Sequence, residues 1–244
     1  MTFRPAPTSD KITQQTVTTN QIDLEAPRPA SPTRSAHSAA RSADVLTKIL
    51  HPDVHLAVWE QPRAGALDWI DALAWDDIED IDAHVPKLEH DAISRLLTSA
   101  GYPAQSQTLQ LAAAIAELGR RFAGIMACEG LRLRLEVVDT DACRKFHADH
   151  VTARLLMTLH GRGTQWIEAP ADGEAEIHEL PIGHVAIFKG RLWAEEPLIL
   201  HRSPPIAGLG ITRLLLVLDP LQDGQDRSRV DVAAMNAPSL VPPC

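Results

Sequence analysis

Cysteine is scarce: Cys128, Cys143 and Cys244 are the three in 244 residues. An odd, unpatterned set argues against a disulfide framework and for a reducing compartment, so a cytoplasmic protein is expected. Positive charge is also in short supply, with 23 Lys and Arg against 32 Asp and Glu and a net charge of −9. The cations are scattered along the chain. Nucleic-acid binding needs a basic face, so no nucleic-acid partner is expected. No run of roughly 18 apolar residues occurs, and no membrane association is expected. Met1 to Ala43 lacks the apolar core of a secretory signal. There is no internal repeat. No nucleophile elbow supports a Ser-His-Asp arrangement, and Gly161-Arg162-Gly163-Thr164 has too few glycines, with no following helix or lysine, to cradle phosphates.

What is present is a globular composition, 45% hydrophobic, on a chain long enough to bury a sizeable core. Residues 1–43 are rich in Thr, Ser, Pro, Ala and Gln without apolar periodicity, and read as a disordered leader. Residues 221–244 read as a disordered tail, leaving 44–220 as a single domain. Within it, 44–129 is mainly helical. Leu88, Ile93, Leu96 and Leu97 fall at helical spacing. Leu109, Leu111, Ala112, Ile115, Leu118, Phe122 and Ile125 do so more strongly. A short strand over Val54 to Trp59 precedes them, and the acidic run Asp76 to Asp82 reads as a solvated face.

From 130 to 220 the pattern becomes strands and turns. Leu131 to Val138 alternates Leu with Arg or Glu, as a half-buried strand does. Further strands are expected over Arg154 to Leu159, Gln165 to Ile167, Glu176 to Leu180, His184 to Lys189, Leu198 to His201 and Thr212 to Leu218. Short strands broken by Gly and Pro indicate a sandwich or barrel. The fold class expected is α+β: a C-terminal jelly-roll core with an N-terminal helical layer on one sheet.

Three pieces of this region suggest a metal site. His147 and Asp149 lie two apart, and on a strand that spacing puts both side chains on one face. The competing reading is a polar loop in which Asp149 caps or pairs with Arg154. His201 follows Pro197-Leu198-Ile199-Leu200 and arrives after several intervening strands. With the other two it makes a two-His-one-carboxylate set that leaves one side of a metal open. Arg213 sits in the apolar strand Ile211 to Leu218. Alternation groups it with Leu215 and Val217, opposite Leu214, Leu216 and Leu218. A guanidinium there is costly without a carboxylate partner, from the protein or from a ligand. Cys143 is a further candidate ligand, and with His147, Asp149 and His201 it would make a closed four-coordinate Zn(II) site. His150 faces away from His147 on an alternating strand, and His51 and His55 read as non-ligands. Trp59, Trp166 and Trp193 read as core.

Phe146-His147-Ala148-Asp149, Arg154 to Leu159 and Gly161 to Thr164 resemble the first half of a 2-oxoglutarate/Fe(II) oxygenase core, the double-stranded β-helix superfamily. Pro181-Ile182-Gly183 with its following apolar strand resembles the middle of that core. His201-Arg202-Ser203-Pro204-Pro205, Gly210 and Arg213 resemble its closing segment. The resemblance implies an Fe(II)- and 2-oxoglutarate-dependent dioxygenase that hydroxylates or demethylates a small-molecule or protein substrate. His147, Asp149 and His201 would bind iron, and Arg213 the C5 carboxylate of 2-oxoglutarate. The interval from His201 to Arg213 is slightly longer than usual for the superfamily. Asp44 to Pro220 also resembles the bacterial family known as domain of unknown function 1826, whose genomic setting implies a link to zinc-responsive genes and metallochaperone GTPases. That implies a non-catalytic zinc-binding alternative in metal homeostasis, with Cys143 as an added ligand.

Overall fold

The structure is a computed structural model that describes residues 35–141, 143–169 and 175–221. The expectations for residues 1–34 and 222–244 lie outside the described residues. Ten strands are present: β1 His37–Ala40, β2 Leu56–Trp59, β3 Ile81–Val85, β4 Leu131–Val138, β5 Ala153–His160, β6 Gln165–Glu168, β7 His178–Glu179, β8 Val185–Lys189, β9 Ile199–Arg202 and β10 Arg213–Pro220. Two α-helices, α1 His90–Ser99 and α2 Ser106–Met126, stand between β3 and β4. Shorter 3-10 helices cover Ala43–Leu50, Gly65–Ala72 and Trp75–Asp77.

The strands form two sheets. The larger runs β1-β2-β8-β5-β10-β4-β3 and the smaller β7-β6-β9. All pairings are antiparallel except β1 with β2. From β4 onward the chain passes back and forth between the sheets. It runs from β4 in the large sheet to a bridge at His147 on β9, then β5 large, β6 and β7 small, β8 large, β9 small and β10 large.

β10 shows how sequence sets this arrangement. Its side chains alternate, so Leu214, Leu216 and Leu218 join the core formed with the helices, and Leu215 and Val217 join a second core between the sheets. On α2 the buried residues Leu111, Ala112, Ile115, Leu118 and Phe122 recur every three or four positions and make one apolar stripe. With Ile93 and Leu97 of α1, that stripe packs on Leu133, Leu135, Leu155 and Leu216. Full burial of each such side chain stabilises by roughly 1.5–3 kcal/mol. The inter-sheet core contains Leu56, Val58, Leu156, Trp166, Ala186, Phe188 and Ile199. No helix among the described residues is long and apolar enough to cross a membrane.

Two expectations need correction. Residues 37–40, placed in the leader, form β1. Ser and Ala carry no apolar periodicity, and the strand's order comes from backbone pairing of Ser38 with Ala57 and Ala39 with Val58, beside the buried Ala36. The segment 44–129 is not a purely helical layer, because β2 and β3 belong to the large sheet. Part of the acidic run is strand as well. Ile81, Ala83 and Val85 point inward, while Asp82 is exposed and pairs with Arg132.

Candidate metal centre

His147 and His201 are neighbours across a narrow antiparallel bridge. His147 N–H donates to His201 O at 3.0 Å, and His201 N–H to His147 O at 2.9 Å. The backbone thus puts the two rings side by side, with centroids 4.9 Å apart. Asp149 completes the group: one ligand atom from each of the three residues lies within 4.8 Å of the others. Asp149 Oδ2 is 3.0 Å from His201 Nε2, and Oδ1 is 3.7 Å from His147 Nε2. Oδ2 is buried and has no hydrogen-bond partner. An acceptor in that condition costs about 1–3 kcal/mol unless a donor or cation meets it.

The protonation chemistry suits a cation. His147 Nδ1 lies 2.8 Å from Lys145 O, which fixes the N–H there and leaves Nε2 as the lone-pair nitrogen facing Asp149. Burial is the largest influence on His201 and pushes its pKa down, keeping the imidazole neutral. Burial alone would raise Asp149, but its contacts with His147 and His201 and the charge of Arg154 prevail and hold it well below the usual carboxylate range. The adjacent Asp149 carboxylate raises His147 against the opposing effect of burial.

The three groups open on a small recess of about 80 Å³ whose lining includes Arg154, Leu156, Thr164, Arg202, Ser203 and Leu215. Arg213 stands behind this wall, fully buried. Its Nε donates to Arg162 O at 2.6 Å, Nη1 to Ser203 Oγ at 2.9 Å and Nη2 to Thr164 Oγ1 at 3.3 Å. Burial pushes its pKa down to about 10, and no carboxylate among the described residues pairs with it. Thr164 and Ser203 therefore face the recess and touch Arg213 at once.

Cys143 lines the recess but stands outside the three-residue group. It is exposed, with a left-handed backbone (φ 58°), and its carbonyl accepts Ser203 N–H. The four-ligand zinc set does not assemble. His150 is exposed. His55 is buried with its Nδ1 accepting Leu198 N–H, and His51 is exposed.

Asp149 pairs with Arg154, whose Nη1 lies 2.5 Å from Oδ1, while Oδ2 faces His201. What sequence reasoning missed is the charge network behind Asp149, of Arg154, Asp219, Arg134 and Glu136. The alternation that grouped Arg213, Leu215 and Val217 continues to Asp219. A carboxylate on that inward face demands a cation.

The family described as "Protein of unknown function (DUF1826)" matches residues 40–219. Similar solved structures include a dioxygenase for auxin oxidation from rice, 14% identical, covering 66% of this chain and 68% of that one, with a TM-score of 0.43. A prolyl-4-hydroxylase from Pseudomonas putida is 17% identical over 75% of this chain and 92% of that one, with a TM-score of 0.44. An oxidoreductase of the 2OG-Fe(II) oxygenase family from Burkholderia pseudomallei is 12% identical over 77% and 96%, with a TM-score of 0.42. No curated protein matches the sequence.

Proposed function

The chain belongs to the DUF1826 family, and we propose that it is an Fe(II)- and 2-oxoglutarate-dependent oxygenase acting on a small-molecule or protein substrate. The observation that carries this reading is the convergence of His147, Asp149 and His201 at the edge of an open recess, with Asp149 Oδ2 buried 3.0 Å from His201 Nε2 and making no hydrogen bond. Two imidazoles and one carboxylate oxygen on a single side of a divalent ion leave the opposite positions for other ligands. The path of the chain between the two sheets is that of a double-stranded β-helix, which supports the same reading.

His147 Nε2, His201 Nε2 and Asp149 Oδ2 would hold the metal. His201 is held neutral by burial, and the Lys145 carbonyl orients His147 with Nε2 toward Asp149, where a metal would displace any proton that the carboxylate favours on that ring. Iron bound there would supply the coupling of 2-oxoglutarate oxidation, to succinate and carbon dioxide, with transfer of the second atom of dioxygen to the substrate. Arg213 would hold the distal carboxylate of the oxo-acid, with the Ser203 and Thr164 hydroxyls between it and the recess. Leu156, Leu215 and Val217 contribute apolar lining to the recess.

Calorimetric titration of Fe(II), or of Mn(II) as a stable substitute, under anaerobic conditions tests the metal assignment. One site per chain is expected, lost in Asp149→Ala and in His201→Ala with the fold retained. Equal binding by Asp149→Ala and the unaltered chain would refute it.

A further inference from the structure

Arg154 enters from β5 on the inward face it shares with Leu156, and its side chain is only 16% exposed. It makes three charged contacts. Nε and Nη2 take the two oxygens of Asp219 at 2.7 and 2.8 Å, and Nη1 lies 2.5 Å from Asp149 Oδ1. Asp219 is on β10 and is itself buried. Arg134 Nη2 braces it from β4 at 3.3 Å, and Arg134 Nη1 binds Glu136 at 2.8 Å. The guanidinium is therefore gripped at two of its nitrogens by a carboxylate on a central strand. Because the group is planar and rigid, the position of its third nitrogen follows from that grip.

The consequence falls on Asp149. A carboxylate free to turn does not keep a ligand oxygen aimed at the metal, and contacts that orient a ligand strengthen metal binding. Here Oδ1 is taken by Arg154, and Oδ2 alone turns toward His201 without a hydrogen-bond partner. We propose that Arg154 is a positioning residue that holds Asp149 with Oδ2 turned toward the metal position, with Asp219 as the clamp that fixes Arg154. The assignment rests on the metal reading above and deepens it. A purely structural ion pair would give a different pattern, because losing it would lower stability and leave metal affinity in the folded protein unchanged.

The full chain is titrated anaerobically with Fe(II), and thermal midpoints are recorded for the same samples. Arg154→Met leaves Asp219 buried without its bidentate partner and loses stability. Arg154→Met/Asp219→Asn removes that uncompensated charge and recovers much of the thermal midpoint, yet it binds Fe(II) roughly 10–100-fold more weakly than the unaltered chain. Arg154→Lys, which keeps the charge but not the fork, falls between them. Fe(II) affinity within about threefold of the unaltered chain in the folded double variant overturns the assignment and leaves the metal reading standing. Should the double variant fail to fold, Arg154→Lys decides: weakening by roughly fivefold or more supports the assignment, and any smaller change overturns it. An unaltered chain that binds no Fe(II) overturns this assignment and the metal reading together.

Discussion

Replacing Arg213 with methionine separates what the buried guanidinium does for the fold from what it does for a ligand. The side chain is fully buried, and burial brings its pKa from 12.5 down to about 10. At 1.36 kcal/mol per pH unit, that gap is a cost to the folded state of about 3 kcal/mol. Folded and unfolded chains both carry the charge at pH 7, so the whole cost stands there and is relieved only as pH rises past about 10. Opposing it are the hydrogen bonds to Arg162 O, Ser203 Oγ and Thr164 Oγ1, each contributing about 1.5 kcal/mol. Arg213→Met removes both sides and is expected to cost only about 1–2 kcal/mol of stability. Ligand binding has no such compensation. Truncating one partner of a buried charge pair typically costs about 2–5 kcal/mol, or roughly 30- to several-thousand-fold in affinity. Anaerobic titration of the Fe(II)-loaded variant with 2-oxoglutarate, beside urea unfolding and Fe(II) titration, should show weak oxo-acid binding, near-normal metal affinity and a small loss of stability. Normal 2-oxoglutarate affinity in a folded Arg213→Met chain would refute the reasoning, and so would a chain that cannot fold at all.

Further outcomes follow from the same geometry. Cys143→Ser should leave Fe(II) and Zn(II) affinity within about twofold by calorimetry, because the thiol stands outside the three-residue group. Gly161→Ala should lose at least about 2 kcal/mol in urea unfolding, since φ is +78° and a Cβ would lie 2.2 Å from Thr212 O and 3.1 Å from Arg213 Cγ. Leu216→Ala, deep between β4 and β5, should cost about 2–5 kcal/mol by the same assay. His55 has its pKa lowered, first by burial and then by Lys189. The unfolded chain therefore takes up a proton below about 6.5 that the folded chain resists, and stability falls as pH drops through that value. Urea midpoints measured from pH 7.5 to 5 should decline less steeply in His55→Gln than in the unaltered chain.

Strands with a strong period-2 signal were legible from sequence to within a residue or two. Leu131–Val138 forms β4 as expected, and the two faces that alternation gave β10 pack into two different cores, Leu214, Leu216 and Leu218 in one and Leu215 and Val217 in the other. α2 was legible because its apolar stripe persists from Leu111 to Phe122. β1 was not, since Ser38, Ala39 and Ala40 have no pattern of their own and depend on a distant partner strand. β3 was hidden by the acids around it, although Ile81, Ala83 and Val85 alternate. At the site, His147 and Asp149 were legible by spacing, but their approach to His201 is a tertiary fact carried by one backbone bridge. The partners of Arg213 could not be read in advance, because Arg162, Thr164 and Ser203 reach it from separate loops and strands. Arg154 was visible as a partner for Asp149. Its grip by Asp219 was not, because it depends on β5 and β10 lying side by side.

The most direct test of the central claim is visible absorption of the anaerobic protein titrated with Fe(II) and then with 2-oxoglutarate. The account predicts a weak charge-transfer band near ~500 nm that needs both additions and disappears in His147→Ala, as chelation of an oxo-acid at an open two-His-one-carboxylate iron site requires. Stoichiometric Fe(II) binding with no such band at saturating 2-oxoglutarate would contradict it.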